Sequence, residues 1–238
     1  MLVHEGETRS FEADLNLSWS LAAVAGALNT AGFYAVGFYA SNMTGNVSAI
    51  SDRAGTGDLI LAVKALLLVV LFVLGAATST LLIRRRRRQA RHDAYAYSIC
   101  AEACLLAAIG LVALPLAEPA RGEALVFALS FVLGLQNAVV TKITDARVRT
   151  THVTGMVTDI GIELARWLDR KTGDPLAKRH DPDKLRLHLM TVGAFLGGGL
   201  VGVLAYRTVG VGLLFATAAI LMLLAAPALG ARRSAAAE

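Results

Sequence analysis

The sequence predicts an all-α fold, a polytopic membrane helix bundle of about six transmembrane helices, and three observations predict it. Of 238 residues, 55% are hydrophobic and only 17% charged, where an ordinary soluble domain carries roughly 25% charge. Mean hydropathy is +0.58. The apolar residues are gathered into runs of about 20, the length a helix needs to cross a hydrocarbon core about 30 Å thick. Too few charges remain to coat a soluble surface.

Six runs qualify: 19–40, 59–83, 95–116, 123–143, 187–206 and 209–229. Ahead of the first, Glu5, Glu7, Glu12 and Asp14 make an acidic start unlike the basic n-region of a cleaved signal. Residues 1–18 are therefore expected as a cytoplasmic tail. The second run holds Lys64 near its outer end, where an ammonium can snorkel to the interface. It stops at the tract "RRRRRQAR" (84–91). The third holds Cys100 and Cys104, read as small packing residues, and Glu102. An acid within a span often marks an ion or proton pathway, so Glu102 is the candidate coupling group. The bland alternative is that it reaches water or an arginine of 84–91. The fifth contains Gly193-x-x-x-Gly197 and Gly198-x-x-x-Gly202, small residues that let helices approach closely, either inside the chain or at a homo-oligomer face. Residues 230–238 are a second cytoplasmic tail.

Basic residues set the orientation. Of the 23 Lys and Arg, 19 fall on the side of the two termini, among them Arg84–Arg88 and those of loop 144–186, while Arg53, Arg121 and Arg207 fall opposite and Lys64 lies within a span. Positive residues stay inside, so both termini are expected in the cytoplasm. The net charge of +5 sits in tracts beside spans, which points to anionic headgroups at Arg84–Arg88 rather than nucleic acid. "GDPLAKRHDPDKLRLH" (173–188) reads as a solvated loop with two Asp-Pro turns.

A repeat carries the functional reading. "GALN" (26–29) precedes "MTGN" (43–46), and "GLQN" (134–137) precedes "VTGM" (153–156). Each copy opens a three-span unit, 19–116 and 123–229, the second including loop 144–186. Three is odd, so the second unit enters from the opposite side, giving two inverted three-helix repeats, a transporter architecture. The first Thr-Gly motif is expected toward the outer face and the second toward the inner. Asn29 and Asn137 need partners inside a span. Gly45 and Gly155 permit a break, and Thr44 and Thr154 cap a short helix that restarts there, whose free N–H groups suit an anion. The second short helix is amphipathic, with Val157, Ile160, Leu164 and Trp167 on one face and Asp159, Glu163, Arg166 and Arg170 largely off it.

These motifs, "MTGN", "GLQNA" (134–138) and "TTHVTGMVTDIG" (150–161), resemble the bacterial YoaK-type family of small multi-pass inner-membrane proteins of unknown function. The resemblance spans roughly residues 18 to 229. It implies the membrane class and a bacterial source, and no substrate. Relatives commonly have Asp-Ala where this chain has Asn29-Thr30.

The substrate-binding candidates are Asn29, Asn42, Thr44, Gly45, Asn46, Gln136, Asn137, Thr154, Gly155, Thr158 and Asp159, with Asp159 following Thr154 by just over a helical turn. Two cysteines make no metal site, "HEGE" (4–7) lacks the second histidine of a zinc protease, and no phosphate loop is present. No cofactor, metal or catalysis is expected. The leading expectation is a small secondary transporter or channel for a small polar solute, anions included. The alternative is a scaffold or accessory subunit whose Thr-Gly motifs only pack helices.

Overall fold

The computed structural model describes residues 2, 10–89, 93–169 and 180–235, with 230–235 as backbone alone. "HEGE", Arg91 and residues 170–179 of the long loop, including Arg170, lie outside them. Eight helices fill the described residues: α1 (Phe11–Val36), α2 (Met43–Gly55), α3 (Leu59–Arg88), α4 (Ala94–Ala113), α5 (Ala120–Ile143), α6 (Val153–Leu168), α7 (Pro182–Val209) and α8 (Gly212–Ala235). Six of them, α1, α3, α4, α5, α7 and α8, are long and apolar enough to cross a membrane. The short α2 and α6 begin at the Thr-Gly motifs.

The start of α1 precedes the apolar run because Ser10 caps it. The Ser10 side chain accepts from the Ala13 N–H at 3.3 Å, and Glu12 and Asp14 stand in the first turn, where the helix dipole favours negative charge. The helix ends at Val36, short of the expected 40, because Gly37 adopts φ 76 and its N–H closes on the Phe33 carbonyl. A left-handed residue there reverses the chain at little cost only if it is glycine. Residues 38–42 then run back along α1.

Packing is organised by three helix pairs: α1 on α7, α3 on α5, and α4 on α8. In the first two pairs the backbones nearly touch. A Cβ at Gly26 would stand 2.0 Å from the Phe195 carbonyl oxygen, and one at Gly198 2.1 Å from that of Ala23. Across α3 and α5, Gly75 is similarly placed 1.9 Å from the Phe131 oxygen and Gly134 2.1 Å from that of Phe72. Each crossing thus sets a glycine of one helix against the carbonyl three residues ahead of a glycine of the other, and α7 adds Gly202, whose Cβ would lie 2.5 Å from the Ala27 oxygen. Without aqueous exclusion to drive helices together, such close approach supplies the dispersion contacts that hold a bundle in lipid. Gly193 and Gly197 meet nothing within 4 Å, so the Gly198/Gly202 pair is the internal contact of α7.

The interior belongs to α1 and α5, each 61% buried over its most apolar stretch, against 22% for α3 and 28% for α7. Leu66, Val73 and Leu74 of α3, and Leu200, Val201 and Leu204 of α7, remain exposed, as side chains facing acyl chains must. Polar ties cross the bundle: Ser130 donates to the Leu68 carbonyl at 2.7 Å, and Thr30 to that of Gly199 at 2.9 Å. Lys64, expected to snorkel, pairs with Glu123 of α5. At the end of α3, Arg86 lies 3.7 Å over the Tyr97 ring and Arg87 donates to the Tyr95 hydroxyl, so part of the arginine tract fastens α3 to α4. The acidic start of α1 is matched by Arg147, 3.1 Å from Asp14, and Arg186, 3.3 Å from Glu12.

Candidate functional site

The two Thr-Gly motifs border one cavity of about 1000 Å³. The sequence placed them toward opposite faces; the chain reversal after α1 and the loop after α5 bring both back to a shared space. Asn29, Asn42 and Thr44 line it from one side, and Asn137, Thr154 and Gly155 from the other. Phe72 and Phe195, at the two glycine crossings, also reach it.

The first motif is closed by side-chain hydrogen bonds. Asn29 Oδ1 accepts from the Ser41 N–H at 2.9 Å and from the Ser41 hydroxyl at 3.0 Å. Asn42, rather than Thr44, caps α2, its Oδ1 accepting from the Gly45 N–H at 3.1 Å. Gly45 explains itself here: a Cβ would sit 2.5 Å from Asn42 Nδ2. The glycine is needed so the capping amide can fold over the first turn. It does not break a helix. Asn46, 4% exposed, donates through Nδ2 to the Tyr39 carbonyl at 3.1 Å and so secures the returning loop.

The second motif has the same plan and a looser closure. His152 occupies the capping position of α6, and a Cβ at Gly155 would meet its imidazole at 2.5 Å. Yet no side chain caps the N-terminus of α6. Asn137 Oδ1 is buried without a hydrogen-bond partner among the described residues. The break between α5 and α6 comes at Asp145 and Ala146, with φ 49 and 63, so here too the Thr-Gly glycine lies within a helix. Thr154 is the second helical residue and not the cap.

Several expected residues lie elsewhere. Gly45, Asn46, Gln136, Thr158 and Asp159 do not line the cavity. Thr158 bonds its own helix at the Thr154 carbonyl, 3.0 Å away. Asp159 faces α7, 3.2 Å from Lys184 and 3.8 Å from His188. Glu102 has no exposed surface, and neither carboxyl oxygen finds a hydrogen bond, so it reaches no arginine of 84–91 among the described residues. The Gln136 amide of α5 is near enough to act on it but stands outside hydrogen-bond geometry, and both its polar atoms are likewise orphaned. Gln136 and Asn137 are thus adjacent on α5. Gln136 addresses the buried acid, and Asn137 the cavity.

Sequence reasoning missed Lys142 and Arg149, which line the cavity with His152. In the sequence they stand only as inside-positive charge. The available signal was position: Lys142 lies five residues past Asn137, and Arg149 lies just before the second motif. Among the described residues no group of three or more His, Cys, Asp or Glu could hold a metal.

Comparison with known proteins bears on class alone. No curated protein and no solved structure matches the chain. One family model, described as "Protein of unknown function (DUF1275)", matches residues 17–226, from within α1 into α8. The chain belongs to that family.

Proposed function

We propose that the protein is a small secondary transporter for a polar solute, built as two inverted repeats that alternate the access of the central cavity. The observation that carries this is the convergence of both Thr-Gly motifs on one space of about 1000 Å³. A cavity of that size is at the upper end of small-molecule sites. A bundle whose motifs served only to pack helices would have no reason to keep it. The matched glycine crossings support two-fold internal repetition, because α1 meets α7 as α5 meets α3. The inequality of the two motifs supports two states. Asn29 is latched to Ser41 while Asn137 is not latched, as expected if one repeat closes when its counterpart opens. Discontinuous helices around a shared site are how many transporters hold solute. On this reading the termini are cytoplasmic, and Glu102 is the protonatable group whose state is relayed through Gln136 and α5 to Asn137.

Ala76 of α3 lines the cavity and tests the proposal. In a background with Cys100 and Cys104 changed to Ala, Ala76→Cys should react with a membrane-impermeant maleimide from outside in intact cells and from inside in inverted vesicles. The balance between the two sides should shift with pH, and Glu102→Gln should abolish that shift. Reaction from one side only would end the alternating-access reading. Reaction from neither would favour the scaffold.

A further inference from the structure

We infer that the ligand of this cavity is a small oxyanion, of carboxylate or phosphate type, held at the end formed by Lys142, Arg149 and the start of α6. The inference rests on the cavity being a ligand site, and it names the ligand's chemistry. Its ground is the charge of the walls. Lys142 and Arg149 line the cavity together with His152, and no aspartate or glutamate among the described residues does. The two cations are also unspent: among the described residues neither makes an ion pair, whereas Arg147 between them in sequence is engaged by Asp14 at 3.1 Å. The acid nearest in sequence to the second motif, Asp159, is turned away to Lys184.

The donors beside these cations point the same way. Val153, Thr154 and Gly155, the first turn of α6, all border the cavity, and no side chain caps them. At α2 the equivalent turn is capped by Asn42. A guanidinium, an ammonium and uncapped N–H groups lining the same cavity form an array of donors without a negative partner among the described residues. An oxyanion satisfies such an array by charge-assisted hydrogen bonds, with Arg149 able to grip two oxygens at once. Both side chains are exposed and hydrated, so a cationic solute would meet repulsion there and a neutral one would gain nothing from either charge.

The oxyanion could be dissolved or could belong to a lipid headgroup, and the test separates these sources. Full-length protein is placed in phosphatidylcholine nanodiscs at constant ionic strength. Its thermal midpoint is followed against inorganic phosphate, acetate, lactate and succinate, with glycerol and choline as controls. At least one oxyanion should raise the midpoint saturably, and neither control should. Lys142→Gln and Arg149→Gln should each weaken that response about ten-fold or more, the loss expected for a charged hydrogen bond, while Arg53→Gln, on α2 away from the cavity, should not. A response only to phosphatidylglycerol in the nanodisc, lost in the same two variants, would keep the oxyanion site but defeat transport of a soluble solute. The inference is overturned if neither soluble oxyanions nor phosphatidylglycerol act, or if the doubly substituted protein responds as wild type.

Discussion

A Cβ on Gly198 would meet the Ala23 carbonyl at 2.1 Å, whereas one on Gly197 would meet nothing within 4 Å, so two adjacent glycines carry opposite expectations. The obstacle at Gly198 is backbone, which cannot swing aside, so α1 and α7 must separate to admit a methyl group. Overpacking of this kind costs about 1–3 kcal/mol. Gly198→Ala should therefore lower the thermal midpoint of the purified protein by several degrees. Gly197→Ala should leave it unchanged or raise it, since alanine is the better helix former by about 1 kcal/mol. Equal effects at both positions would mean that the α1–α7 contact is not set by glycine. The Gly-x-x-x-Gly pattern was legible in the sequence, but which of its two registers faces α1 was not. That choice depends on the rotation of α7, and five glycines within ten residues leave rotation unmarked.

At the scale of the element, α6 is fixed by a side chain that its own periodicity hides. Glu163 falls largely off the apolar face in the sequence, yet it has no exposed surface. Its cover comes from the start of the α7 segment: the Asp181 N–H donates to Oε2 at 2.9 Å, and His180 Nδ1 lies 3.2 Å from the same oxygen. Arg166 pairs with Oε1. No local pattern could show this, because the covering residues lie 17 and 18 positions away. The Asp181 N–H, with Arg166 and His180, holds the carboxyl below the usual glutamate range, although burial pulls it upward. A carboxyl lowered by folding stabilises the folded state fully above the unfolded pKa, and the contribution is lost as pH falls through the folded one. Glu163→Gln should therefore loosen α6 at neutral pH. The difference from wild type should persist through the ordinary glutamate range and vanish only below it. Hydrogen exchange of the α6 amides against pH measures this, and a difference that vanished near neutrality would overturn it. The opposite face of α6, with Val157, Leu164 and Trp167 exposed, fits a helix resting on the lipid interface.

At the scale of the whole molecule, the six spans could be read from hydropathy because length and composition alone decide what crosses a bilayer. The cavity could not, since it depends on how the two halves of the chain interleave. The first span of each half packs on the other half: α1 against α7 and α5 against α3, at the glycine crossings where backbones touch. Within the first half, α3 and α4 meet far less extensively than α3 and α5. A chain ending near residue 116 would expose to lipid the face of α1 that holds Gly26 and Ser18. Ser18 is fully buried and bonded to Thr191 of α7, a partner that the isolated half lacks. Unmatched polar groups in hydrocarbon are costly, and the close backbone contacts would be lost as well. Neither half should therefore be a folding unit. Expressed alone, residues 1–116 should aggregate or be degraded. Coexpressed with 117–238, they should accumulate and co-purify as one bundle. Fluorescent size-exclusion profiles of a tagged first half, with and without its counterpart, decide the matter. A stable, monodisperse isolated half would show that each half folds by itself and that the interleaved crossings form only afterwards.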